Sequence, residues 1–164
     1  MTIRASVRVA LAAAAAFALF EGPSAAAGFA AKDIVADSEL VLHERVDWGT
    51  YREYTVRMRI RGQSVILVTN KDGVRRTARV PLASALRLWS GLQGYGLARL
   101  TDVAPARLFP DQSSFRVVYR VRGEHGGFSV YGVDSLPDRR YRSVVRDILD
   151  LAESHTRPGR PGVR

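Results

Sequence analysis

The chain has no cysteine, only two lysines (Lys32 and Lys71) and three histidines, and each scarcity closes off a class of chemistry. Without cysteine there is no disulfide framework, no thiolate metal site, no cysteine nucleophile and no lipid attachment through sulfur. His43, His125 and His155 are too scattered to supply a metal site at ligand spacing. No G-x-S-x-G elbow, H-E-x-x-H helix, P-loop or dinucleotide glycine fingerprint occurs. Long apolar runs are also missing. Residues 9–20 form the one extended apolar stretch, short of the ~20 residues that span a bilayer.

That stretch has a different meaning in its context. Arg4 and Arg8 precede it, Glu21 ends it, and Ser24-Ala25-Ala26-Ala27 offers the small-residue site a signal peptidase needs. This three-part layout predicts a signal peptide over residues 1–27 and a periplasmic or secreted mature protein without a transmembrane anchor. Residues 28–37 are small and polar and read as a linker. Residues 38–156 are one domain's worth of chain, enough for a single hydrophobic core. The tail, residues 157–164, is rich in arginine, proline and glycine and is expected to be disordered and basic.

The net charge is +9, supplied almost wholly by arginine. A basic surface attracts anionic partners. Outside the cytoplasm these are an anionic envelope component or an acidic protein, and nucleic acid is not expected. The plainer explanation is that arginine does lysine's solvating work under a GC-rich codon bias.

Hydrophobic periodicity switches between two and about 3.6 along the body. Residues 39–46 read as a strand. Residues 51–61 alternate without a fault, with Tyr54, Val56, Met58 and Ile60 on one side and Glu53, Thr55, Arg57, Arg59 and Arg61 on the other. Residues 64–69 read as a central strand, Asn70-Lys71-Asp72-Gly73 as a hairpin turn, and residues 74–80 as a further strand with Val74, Ala78 and Val80 inward. After Pro81, Leu82, Ala85, Leu86, Trp89 and Leu92 recur at helical spacing up to Gly94. A second hairpin follows, with Phe115, Val117, Tyr119 and Val121 inward, a loop over residues 123–127 and a return strand over residues 128–133. Ser135 reads as the N-cap of a last helix with Asp138 at its third position, and Tyr141, Val144, Val145, Ile148, Leu149 and Ala152 as its apolar stripe. The sum is an α+β fold: an antiparallel sheet of about six strands, a four-strand meander plus a hairpin, with two helices on one face.

Catalytic candidates are few. His43 lies on the first strand near Glu44 and Asp47, and His125 sits beside Glu124 in a glycine-rich loop that lacks a rigid orienting partner. Asp134 and Asp138 are explained by the positive end of the last helix. No catalytic residue, metal or cofactor is assigned.

What remains is an arginine face. If both helices cover one side of the sheet, alternation sends Arg57, Arg59, Arg61, Arg75, Arg79, Arg116, Arg120 and Arg122 to the other, with Glu53 as the only acid among those outward positions, and Arg57, Arg59, Arg79, Arg116, Arg120 and Arg122 are the partner-binding candidates. Like charges directly opposite on neighbouring strands are destabilising. Either the strand order keeps the arginines apart or something anionic lies among them. The turn carrying Trp48 and Tyr51 is the other candidate docking surface, because an exposed aromatic pair anchors partners well.

From the helix ending near Trp89 and Leu92, the chain passes through an irregular segment to Pro110-Asp111. It continues into the hairpin strand Phe115-Arg116-Val117-Val118-Tyr119 and then Asp134-Ser135-Leu136-Pro137 and an amphipathic helix. In this layout, over roughly the C-terminal two thirds, the chain resembles the emfourin-type bacterial inhibitors of thermolysin-like metalloproteases. The resemblance implies an inhibitor. The glycine- and phenylalanine-rich N-terminal segment of that family has no close counterpart here, Asp47-Trp48-Gly49-Thr50 coming nearest, so no binding residue carries over.

The expectation is therefore an exported, non-enzymatic small binding domain that docks its partner on the basic sheet face or the Trp48 turn. The alternatives are a protease-inhibitor-like protein and a hydrolase using His125.

Overall fold

The computed structural model describes residues 29–46, 52–104 and 112–156. Period-two alternation acts as it should: Val56, Met58 and Ile60 are buried while Arg57 and Arg61, between and beyond them, are exposed. In chain order the described elements are helix α1 (Ala31–Ala36), strands β1 (Ser38–Val46), β2 (Arg52–Arg61), β3 (Ser64–Lys71) and β4 (Val74–Arg79), helix α2 (Leu82–Gly94), strands β5 (Ser114–Val121) and β6 (Glu124–Tyr131), and helix α3 (Arg139–Thr156). The strands form one antiparallel sheet in the order β4-β3-β2-β1-β5-β6. The meander β1 to β4 and the β5–β6 hairpin thus meet at β1, the strand with a neighbour from each unit. An α+β fold with a meander and a hairpin is what the periodicity implied.

The buried residues of α2 and α3 join the inward side chains of the strands in one core, with Trp89, Leu92, Val144 and Ile148 set against Leu40, Leu42, Met58, Leu67 and Val117. The inner face is therefore the helix-covered face. Among the described residues no helix is long and apolar enough to cross a membrane.

Three local expectations are corrected. The stretch read as a linker contains α1, whose Ile34 is fully buried in the core. Phe29, just before it, packs edge-on against Trp89 and Tyr119 with ring centroids 6.4 and 5.5 Å apart. Phe29, Ile34 and the partly buried Val35 hold the segment against the core. The segment is also fastened to both hairpin turns at that end of the sheet. The Gly62 N–H donates to the Val35 carbonyl (2.7 Å) and the Arg122 N–H to the Asp37 carbonyl (3.0 Å).

The second correction concerns the glycine-rich loop of the β5–β6 hairpin. The turn is only Arg122-Gly123, both at positive φ (48° and 90°), and β6 already begins at Glu124. Gly126 and Gly127 lie inside the strand, opposite Tyr119 and Val118. A Cβ on Gly126 would overlap the Tyr119 hydroxyl, and one on Gly127 would strike the Val117 carbonyl. These glycines permit close approach within a strand.

The third is the start of α3. Ser135 lies in a 3-10 turn, Val133–Ser135, and its hydroxyl donates to the Gly132 carbonyl (2.7 Å). Asp138 is the cap instead, its Oδ1 accepting from the Arg140 N–H (3.0 Å), since Pro137 delays the helix beyond Ser135's reach. Arg142 correspondingly pairs with Asp134 (3.0 Å).

The two sheet edges differ. Val103 bridges in parallel to Val130, its N–H donates to the Ser129 carbonyl (2.9 Å), and the Asp102 carboxylate accepts from the Ser129 N–H (2.6 Å). This strap pairs part of β6's outer edge. β4 forms the opposite edge, with Arg75, Arg76 and Arg79 along it, the kind of charge that discourages sheet-to-sheet pairing. Val74 has the inward parity expected of it but lies past the helix cover and is 59% exposed. Arg76 shares that parity and donates to the Thr156 carbonyl at the end of α3 (2.9 Å).

Candidate functional site

The outer face of the sheet is built by the residues that alternate with the core. Strand order decides its electrostatics. Arginine columns stand on β4 (Arg75, Arg79), β2 (Arg57, Arg59, Arg61) and β5 (Arg116, Arg120). Between them lie β3, which presents Ile66, Val68 and Asn70, and β1, which presents Glu39, Val41, His43 and, near its end, Arg45 opposite Glu53 and Ser114. No arginine has an arginine directly across from it in any of the five ladders. With neighbouring strands ~4.8 Å apart, arginine columns two strands apart are separated by about 10 Å. The like-charge problem raised by the sequence is met first by topology.

It is met second by acids that the alternation argument left out. Glu53 is not the only outward acid, because Glu39 lies on the outer face of β1 between Arg59 of β2 and Arg120 of β5. Its carboxylate is 3.5 Å from Arg57 and 4.0 Å from Arg120. Asp37 pairs with Arg61 and Arg120, both at 3.6 Å, and Asp33 of α1 with Arg122 at 2.7 Å. Asp33 and Asp37 lie in and just after α1, in a stretch whose composition reads as linker, so strand alternation does not set them beside the sheet. The quadrant of the face nearest α1 is thus partly neutralised from within. These pairs are largely exposed, so each contributes no more than about 1 kcal/mol.

Arg75, Arg79 and Arg116 are exposed and make no ion pair among the described residues. Arg59 is half-buried, and its Nε is enclosed with no hydrogen-bond partner. Of the six arginines singled out from sequence, Arg57, Arg120 and Arg122 are engaged by acids, whereas Arg59, Arg79 and Arg116 are not. Trp48 and Tyr51 lie outside the described residues.

The outer face carries a depression of about 520 Å³ where β1, β5, β6 and the Asp102–Val103 strap converge. His43, Arg45, Arg116, Ser129 and Tyr131 line it together with Asp102, Val103 and Ala104. His43 lies directly between Thr55 and Arg116, and its Nδ1 is hydrogen-bonded to the Thr55 hydroxyl (3.0 Å). In the sequence His43 and Arg116 are unconnected residues of two separate strands. What joins them is the β1–β5 pairing, a contact over seventy residues of chain that periodicity does not encode.

The remaining candidates separate. His125 is an exposed strand residue opposite Arg120 rather than part of a loop tip. His155, near the end of α3, is hydrogen-bonded through Nδ1 to Ser154 and the Leu151 carbonyl. Among the described residues no group of three histidines or carboxylates is placed to hold a metal. Perturbed titrations fall away from the outer face. The Tyr95 hydroxyl donates to Asp147 (3.0 Å), which holds its proton above the ordinary tyrosine range. Hydrogen bonds from Arg140 hold Asp138 below the ordinary carboxyl range. Burial, followed by nearby carboxylates, raises Tyr54 and Tyr119.

No family model matches the chain, and no curated protein matches it.

Proposed function

We propose that the protein is an exported, non-enzymatic binding domain that takes an anionic envelope polymer on the outer face of its sheet. The observation that carries this reading is the set of arginine columns on β4, β2 and β5, on a face that neither α2 nor α3 packs against, with Arg75, Arg79 and Arg116 left without acidic partners among the described residues. The guanidinium fork suits carboxylate and phosphate oxygens. Three columns about 10 Å apart offer an extended polyanion several weak attachments at once, and such attachments multiply when they lie on one chain. Ile66 and Val68 lie between the β4 and β2 columns, half-buried, and give the polymer's carbon skeleton an apolar floor.

The test is binding of the mature protein to an immobilised acidic polysaccharide, with neutral dextran as control, across a salt series. Binding that is selective for the acidic polymer and falls steeply as salt screens the charges supports the reading. Equal retention on dextran, or an affinity unchanged between low and high salt, dismisses it.

A further inference from the structure

We infer that the open edge of β4 docks an extended acidic peptide segment of a partner protein, which adds to the sheet as a further strand beside Arg75, Thr77 and Arg79. This goes beyond the polymer reading of the outer face and does not depend on it. The register decides which main-chain groups the edge offers. The β3–β4 turn is Asp72-Gly73, both at positive φ (51° and 85°), which closes Lys71 and Val74 as a hydrogen-bonded pair. At the far end the Val80 N–H donates to the Val65 carbonyl (3.1 Å). Such pairs recur at every second residue of an antiparallel ladder, so Val74, Arg76, Ala78 and Val80 turn their main-chain groups to β3. Those of Arg75, Thr77 and Arg79 turn outward, where no described residue meets them.

The side chains of Arg75, Thr77 and Arg79 are exposed on the outer face. A strand that takes the edge bonds therefore sets its own alternate side chains directly across from them, about 5 Å away at Cβ. Arg75 and Arg79 have no acidic partner among the described residues, and a carboxylate across from each supplies one. The matching segment carries acids four residues apart with a polar residue midway. Run antiparallel, its next residue lies beside Val74, which is 59% exposed and suits an apolar neighbour. A second copy of the chain is the wrong occupant. Two β4 edges in full antiparallel register about Thr77 set Arg75 against Arg79 twice, and like charges directly opposite are destabilising. A polysaccharide has no ladder of main-chain amides with which to take the edge bonds.

The experiment titrates the 15N-labelled protein at low salt with the capped peptide Gly-Glu-Ala-Thr-Ser-Glu-Val-Gly, which is expected to move the amides of residues 74–79. Its isomer Gly-Glu-Ala-Thr-Glu-Ser-Val-Gly has the same charge, but odd spacing sends its glutamates to opposite faces of a strand. Loss of one charge-assisted contact weakens binding about tenfold or more, and the isomer should fall by that factor. N-methylation of the peptide's threonine, whose N–H faces β4, should cost about as much, whereas N-methylation of its serine, whose N–H points away, should cost little. Thr77→Pro removes an edge donor that the β3–β4 ladder does not use, so the variant should fold and lose the peptide. The peptide comparisons decide the matter even if that variant does not fold. Equal binding of the two isomers or of the two N-methyl peptides, or no shift at residues 74–79 at about 1 mM peptide, overturns the inference. So does a concentration-dependent dimer in sedimentation that Thr77→Pro abolishes, which gives the edge to a second copy.

Polygalacturonate reports on the outer face independently. If it binds at low salt while the peptide comparisons fail, the edge inference falls and the outer-face reading stands. If the peptide behaves as expected and polygalacturonate does not bind, the outer-face reading falls and the edge inference stands.

Discussion

Glu39 lies directly across the β1–β5 ladder from Arg120, its carboxylate 4.0 Å from the guanidinium. The same carboxylate is 3.5 Å from Arg57 on the other side, so one acid on the central strand serves as counter-ion to both neighbouring columns. Glu39→Gln removes that charge and keeps the shape. Anion affinity of the outer face is expected to rise by a few-fold, while stability falls by no more than about 1 kcal/mol because the pairs are solvated. Binding isotherms and urea melts check both. An affinity that drops in Glu39→Gln contradicts a role as internal competitor.

Gly126 is expected to be intolerant of a side chain. A Cβ there overlaps the Tyr119 ring, which packs between Phe29 and the core. Gly126→Ala should cost about 1–3 kcal/mol by overpacking. The penalty should shrink when Tyr119 is first replaced by leucine. A double-mutant cycle by chemical denaturation measures that coupling, and an uncoupled pair speaks against the ring-over-glycine contact.

Ile34 tests whether α1 belongs to the domain. A fully buried isoleucine trimmed to alanine costs about 2–5 kcal/mol, whereas the same change in a linker costs almost nothing. Thermal melts of Ile34→Ala against the exposed control Lys32→Ala distinguish the two.

Stability should decline at both pH extremes for identifiable reasons. Asp138, held low by Arg140, contributes stability that is present above the unfolded carboxyl range and is lost as pH falls through its depressed folded value. Tyr54, Tyr95 and Tyr119 are all raised, so their contribution is complete below about pH 10, the unfolded tyrosine value, and is lost as pH climbs through the folded values. Ultraviolet titration of the folded protein should show phenolate appearing later than in the denatured chain. Tyr95→Phe should remove part of that lag.

Much of the scaffold was legible because its signals are local. Val56, Met58 and Ile60 alternate with arginines over a whole strand, and Tyr141, Val144, Val145 and Ile148 mark one helical stripe. Glycine and alanine misled. Gly126 and Gly127 look like loop residues until Tyr119 is known to lie over the first and the Val117 carbonyl beside the second. The alanines around Ile34 look like linker until the core beneath them is known. The candidate site was half legible. Alternation placed Arg59, Arg79 and Arg116 on one side of the sheet. It could not say that β1 would separate β2 from β5, bring Glu39 between them, or set His43 beside Arg116.

The central claim, that the outer face of the sheet is the anion-binding surface, is tested most directly by amide chemical-shift mapping of the 15N-labelled protein with polygalacturonate at low salt. The account predicts perturbations on β2, β4 and β5 around Arg57, Arg79 and Arg116, and little change on α2 and α3. Perturbations centred on the helix-side arginines Arg87, Arg139 and Arg146, or on Arg157, Arg160 and Arg164 of the tail, would contradict it.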